Sequence, residues 1–336
     1  MLASALLERF AIFRMRYPRA RVNTRTTATV ALLVLAVQNT ALVLVTKFSY
    51  RESAEPYTTS SVILCSECVK VFLSGVLLSF YRGKDALIYA LHSIPEHAAS
   101  LVLPAVLYAV QNKLLFQGVR LLDPTVYMVC SQCKILTSAL FSILLLGRHL
   151  NRIQISSLFL LAFGMIYSQG QTSHVPHDTS KDVHRENDWR GLLAVLTASI
   201  ISGFTGAYLE KIYKERAGST SVWSKNLQLA CCSVPVIMIP SLPNISIYSF
   251  FRGYDMVVVS IVILQAIGGL VVAAVMKYAS NLVKCFALSI SICACNILTP
   301  HVLGDSLSET FSPTQSTGII CVIAATFLYT KFSRQC

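Results

Sequence analysis

The chain has 336 residues, 54% of them hydrophobic and 13% charged, with a mean hydropathy of +0.60. A soluble domain carries about 25% charged residues, so the composition excludes an ordinary water-soluble globule. The formal net charge of +12 fits an uneven placement of Lys and Arg about a membrane and not a nucleic-acid-binding surface.

In chain order, residues 1–27 come first, with Arg9, Arg14, Arg16, Arg19, Arg21 and Arg25 against Glu8 alone. A transit peptide has a similar composition, but no cleavage region follows, so a cytosolic tail is expected. No secretory signal peptide is evident, and the first span is expected to target the chain. Apolar stretches of about 20 residues, the length of one bilayer crossing, fall near 28–46, 58–80, 98–119, 124–146, 152–169, 191–210, 221–240, 256–276, 282–303 and 315–331. The expected fold is an all-α membrane protein of ten helices, with no room for a large soluble domain. Asp123 and Pro124 are suited to start the fourth helix, and Ser280 to start the ninth.

Residues 170–190 form a hydrophilic linker between a first half, 28–169, and a second, 191–332, with 333–336 as a short tail. The linker's His174, His177 and His184 lack rigid metal-binding spacing and read as solvated. Ser199, Gly203 and Ala207, with Ser202 and Gly206, form ridges of small residues suited to close helix contact. The eleven cysteines are too scattered for a disulfide scaffold. The Cys65/Cys68 and Cys130/Cys133 pairs lie in apolar spans and read as packing. Asn244-Ile245-Ser246 is the one Asn-x-Ser acceptor in the chain.

With the N-terminus in the cytosol, 17 of the 28 Lys and Arg residues fall on the cytosolic side, seven on the other and four in spans. The cytosolic group includes Lys277 and Lys284. The positive-inside rule supports this orientation, with both termini cytosolic. A shift of 157 residues lays Arg120 on Lys277, Tyr127 on Lys284 and Gly147 on Gly304. Two five-helix repeats would be inverted with respect to each other, a transporter design with its site at their interface; chance similarity between apolar helices is the alternative.

Residues 104–149 carry the most unusual polar content. Tyr108, Gln111 and Asn112 share one helix face, and Tyr127, Ser131 and Lys134 another. A lysine in a bilayer costs about 2.5–3.5 kcal/mol, so Lys134 is expected to face a partner or a wet cavity. Glu67 has Lys70 at i+3, and internal pairing and ligand contact both remain open for that couple. Glu210 beside Lys211 reads as an interfacial charge, and Lys277 as a phosphate partner or a snorkelling end charge. No nucleophile–base set, metal-binding motif or Gly-rich phosphate loop is present. No enzymatic activity and no cofactor or metal are expected. Tyr, Gln and Asn suit a nucleobase, and lysines suit a diphosphate.

Leu107-Tyr-Ala-Val-Gln-Asn112, Asp123-Pro-Thr-Val-Tyr127, Lys134-Ile-Leu-Thr and Gly203-Phe-Thr-Gly-Ala-Tyr-Leu-Glu-Lys211 carry a resemblance. So do Trp223-Ser-Lys-Asn-Leu-Gln228 and Lys277-Tyr-Ala-Ser-Asn-Leu-Val-Lys284. Together they resemble the nucleotide-sugar transporters of the CMP-sialic acid, UDP-galactose and UDP-N-acetylglucosamine group. The resemblance implies a ten-helix antiporter of Golgi or endoplasmic reticulum membranes, exchanging a cytosolic nucleotide sugar for a nucleoside monophosphate. It implies that Gln111 and Asn112 meet the base, Tyr108 and Tyr127 line its pocket, Lys134 and Lys277 meet phosphate, and Asn226 assists. Glu67, Lys70 and Asn281 complete the candidate set. Ser131 stands where the family often has tyrosine, and Lys113 where it has asparagine, so the sugar stays open. The Lys134 segment is closer to the UDP-sugar members, and UDP-galactose or UDP-N-acetylglucosamine in exchange for UMP is expected. A CMP-sialic acid or other metabolite carrier on the same scaffold, or a non-transporting membrane scaffold, are the alternatives. Expected partners are the nucleotide sugar, the monophosphate, the bilayer and, optionally, a second copy as a homodimer; nucleic acid is not among them.

Overall fold

The structure is a computed structural model, and it describes residues 24–52, 57–122, 124–169, 189–215, 221–239, 250–303 and 313–332. The regular elements there are α-helices: α1 (Thr24–Glu52), α2 (Thr59–Arg82), α3 (Lys84–His92), α4 (Ile94–Leu121), α5 (Pro124–Ser131), α6 (Cys133–Leu146), α7 (Arg152–Gln169), α8 (Trp189–Glu215), α9 (Val222–Met238), α10 (Met256–Tyr278), α11 (Asn281–Leu303) and α12 (Pro313–Phe332). Among the described residues, six stretches are long and apolar enough to cross a membrane: Thr26–Ser49, Thr59–Arg82, Val126–Leu146, Trp189–Lys214, Met256–Tyr278 and Asn281–Thr299. Residues 170–188 of the linker, Asn244 and Asp123 lie outside the described residues, while Trp189 and Arg190 already belong to α8.

Each expected span has a helical counterpart, with two differences. The fourth span is not one rod but α5 and α6, broken at Gln132. Ser131 donates its hydroxyl to the Met128 carbonyl at 2.8 Å, a back-bond that bends helices. Gln132 N–H then bonds Val129 O, three residues back. The short helix α3 was not expected. It follows Gly83, whose φ of 83° is open to glycine at little cost. Ser280 does cap α11, accepting from Val283 N–H at 3.2 Å.

Lipid tails are as apolar as leucine, so helix association in a bilayer rests on close packing and interhelical hydrogen bonds. The glycines supply the closeness. A Cβ on Gly164 of α7 would lie 2.9 Å from the Gly318 carbonyl of α12, so these two backbones touch. A Cβ on Gly203 of α8 would lie 2.6 Å from the Thr137 backbone of α6. Thr137 in turn donates its hydroxyl to Ser199 O at 2.7 Å. The small-residue ridge is therefore a helix contact. One buried cluster joins Leu158, Leu161 and Met165 of α7 to Phe286 of α11 and Tyr329 of α12.

The main helix pairings are α1 with α10 and α11, α8 with α4 and α6, α2 with α9 and α10, α9 with α4, and α7 with α12. Helix ends also follow a register. The 157 residues that separate Pro124 from Asn281, the starts of α5 and α11, also separate their flanking ends. Leu121 and Tyr278 end α4 and α10, and Leu146 and Leu303 end α6 and α11.

Candidate functional site

A cavity of about 360 Å³ opens between α4, α5, α6, α7, α8 and α11. Gln111 reaches it from α4, Tyr127 and Ser131 from α5, Lys134 and Ser138 from α6. Gln169 lines it from α7, Ser199 and Ser202 from α8, and Asn281, Lys284, Cys285 and Ser289 from α11. Among the described residues, no carboxylate is on this wall.

Lys134 and Lys284 dominate its electrostatics. Neither makes a salt bridge among the described residues. They are within electrostatic reach of each other, and Lys284 also of Glu210, which lies off the wall, so two like charges face one space whose described lining holds no acid. Such a pair is held apart from solvent only at a cost, which an anion between the two would offset. Gln111 and Gln132 each have a buried Oε1, and Asn281 a buried Nδ2, with no hydrogen-bond partner, and all three residues line the cavity. A buried polar atom left unsatisfied costs about 1–3 kcal/mol. These are acceptors and a donor of the kind that read a nucleobase edge or sugar hydroxyls.

Of the candidate residues, the cavity brings together Gln111, Tyr127, Lys134 and Asn281. The others lie elsewhere. Tyr108 packs on a cluster of Leu209, Tyr213, Val222, Ala273 and Met276. Lys70 donates to Glu67 at 2.6 Å, and Lys70 is packed under Gly269 of α10. Asn226 donates to Ser74 Oγ at 2.9 Å and accepts from the Tyr213 hydroxyl at 3.5 Å. Asn112 is exposed on α4, away from the cavity lining. Lys277 sits at the end of α10, its Nζ 5.5 Å from the centre of the Tyr278 ring, within electrostatic reach of Arg82.

Lys284 was expected among the cytosolic segments, yet it stands in the first turn of α11 and faces the cavity. The signal was in the chain: the 157-residue shift lays it on Tyr127, itself a cavity residue. What hid it was the break at Ala279 and Ser280, which turns Lys277 and Lys284 to different places. Glu210 was read as interfacial, but it is fully buried.

Together, the helices and the cavity define a polytopic helical membrane protein with a central, cationic, amide-lined site. The chain belongs to the nucleotide-sugar transporter family, which matches residues 23–330. It is 38% identical over 322 residues to a Caenorhabditis elegans UDP-N-acetylglucosamine/UDP-N-acetylgalactosamine transporter, covering 89% of this chain and 92% of that one. It is 37% identical over 312 residues to the mouse UDP-N-acetylglucosamine transporter, covering 88% and 93%. The UDP-galactose transporter of Schizosaccharomyces pombe is 36% identical over 319 residues, covering 90% and 87%. A protein of known crystal structure shares the fold with a TM-score of 0.64 at 14% identity, over 92% of this chain and 98% of that one. The protein is thus a multi-pass membrane transporter and not an enzyme.

Proposed function

We propose that the protein carries a UDP-sugar, UDP-N-acetylglucosamine or UDP-galactose, from the cytosol into the Golgi lumen in exchange for UMP. The observation that carries this reading is the pair of lysines, Lys134 and Lys284, that make no salt bridge among the described residues and face a cavity wall whose described lining holds no carboxylate. A diphosphate between them would take charge-assisted hydrogen bonds from both. Gln111, Gln132 and Asn281 would meet the base and sugar, and Tyr127 would offer a stacking face. Tyr108, Asn226 and the Glu67–Lys70 pair would hold the neighbouring helices in register.

The reading takes the chain as ten membrane-crossing units in two inverted five-helix repeats, 28–169 and 191–332, joined by a lumenal linker at 170–190. The residues 1–27 and 333–336 would both be cytosolic. Two features support it. The helix ends around Pro124 and Asn281 share one register. The pairings also map onto themselves when each unit is exchanged with the one five places on: α1 with α10 becomes α8 with α4, and α1 with α11 becomes α8 with α5–α6. Exchange is expected because a rocking carrier returns faster with its site filled.

Proteoliposomes preloaded with UMP should take up UDP-N-acetylglucosamine or UDP-galactose faster than empty ones. Equal rates would count against exchange, and stimulation by CMP alone would transfer the reading to a cytidine nucleotide. For orientation, a glycosylation acceptor inserted in 170–190 should be modified and one in 82–97 should not. The reverse pattern would invert the sidedness.

A further inference from the structure

Glu210 is 0% exposed and lies outside the cavity wall. Its partners come from three segments. Arg148, just beyond α6, donates to Oε1. Lys214, one turn further along α8, donates to the same oxygen at 2.6 Å. The backbone N–H of Asn281, the first residue of α11, donates to Oε2 at 2.9 Å. Asn281 lines the cavity, and Lys284 follows one turn later. A Cβ on Gly206 of α8 would lie 2.5 Å from the Asn281 amide, so α8 and α11 are pressed together here.

The other end of the cavity is built differently. Under the repeat exchange, the α10–α11 turn corresponds to the α4–α5 turn. On this side of the exchange, α10 packs on α8 and α9, and α11 on α8. Among the described residues, the matching pairs, α4 with α1 or α2 and α5–α6 with α1, make at most marginal contact. The cavity reaches towards that second end, to Tyr127 in the first turn of α5 and Gln169 at the last residue of α7.

We propose that Glu210 is a positioning residue of the transport cycle. It latches the cavity shut on its own side by tying the start of α11 to the end of α6, and it holds Lys284 opposite Lys134 while the far side is open. The proposal rests on the transporter reading. Its physical basis is that a buried carboxylate stripped of its partners is strongly unfavourable in a dry interior. The latch therefore opens only as a unit, when water or a rearranged partner set reaches Glu210.

Cys285, a free cysteine on the cavity wall, is a native reporter. In sealed vesicles, a membrane-impermeant maleimide is applied outside or trapped inside, and labelling at Cys285 is read by peptide mass spectrometry. A Lys331→Cys reporter at the end of α12 marks which face is the Glu210 side. The unmodified chain should react at Cys285 mainly from the far side. Glu210→Gln should raise labelling from the Glu210 side about tenfold and lower it from the far side. Arg148→Gln should act in the same direction, and the double variant should go no further than Glu210→Gln, because both remove one interaction. Unchanged labelling, an equal rise from both faces as in a loosened fold, or additive effects would each overturn the latch. A shift in labelling without any UDP-sugar uptake would uphold the latch and remove the substrate reading.

Discussion

Two polar regions lie side by side in this bundle, and they differ in whether their groups are paired. Around α2, α8 and α9, Lys70 holds Glu67, Asn226 bridges Ser74 and Tyr213, and Lys225 donates to the Ile212 carbonyl. Around the cavity, neither Lys134 nor Lys284 makes a salt bridge among the described residues, Glu210 acting on Lys284 only from off the wall, and Gln111, Gln132 and Asn281 keep unsatisfied atoms. Buried polar groups are normally paired because an unpaired one forfeits its hydration. The first region behaves as scaffold that fixes helix register. The second retains unsatisfied groups that a polar, anionic occupant would pair.

The largest expected effect separates the two regions directly. Lys134→Ala and Lys284→Ala should each lower UDP-sugar transport by about tenfold to hundredfold, since a hydrogen bond to a charged group contributes about 1.5–3 kcal/mol. Neither should lower thermal stability in detergent, because each removes a charge from the membrane interior that has no salt-bridge partner among the described residues. Lys277→Ala should retain far more transport than Lys284→Ala; the opposite order would move the anion site to the end of α10.

Next comes the helix contact behind the cavity wall. Gly203→Val should lower the melting temperature and folded yield, at about 1–3 kcal/mol for overpacking against the α6 backbone. Gly75→Ala should be tolerated, since its Cβ would meet only the Leu87 side chain at 3.7 Å. Equal melting temperatures for the two variants would mean that α6 and α8 are not so closely held.

In the paired region, Asn226→Ala should cost about 1 kcal/mol of stability for each hydrogen bond lost, with transport falling less than in Lys284→Ala. A transport loss as deep as that of Lys284→Ala, in a protein that melts normally, would make Asn226 part of the site. The smallest effect is expected at Asn112. Exposed and away from the lining, Asn112→Ala should change uptake by less than about threefold, whereas Gln111→Ala, one residue earlier, should change it more. Equal losses at the two positions would show that α4 rotates during transport.

Much of this arrangement is legible in the chain. Apolar runs of bilayer length predict the helices, because no other local structure satisfies the backbone in lipid. The i, i+4, i+7 spacing placed Tyr127, Ser131 and Lys134 on one face, and all three line the cavity. The cost of a charge in a bilayer, with no obvious acid among its sequence neighbours, marked Lys134 without any structure. Small residues at every fourth position marked the α8 contact with α6, since only they allow backbones to approach.

What the tertiary structure decided is which polar residues share a space. Tyr108, Gln111 and Asn112 also share a helix face by spacing, yet only Gln111 reaches the cavity, because Tyr108 is packed against α8, α9 and α10 and Asn112 is left exposed. Lys277 and Lys284 look equivalent as basic residues near one apparent loop. The capped start of α11 at Ser280 puts the second into the cavity and leaves the first at a helix end. Glu210 looks like one more charge beside Lys211. Its burial depends on Arg148 and Asn281, which are far away in sequence, and no local pattern encodes a partner that only folding brings within reach.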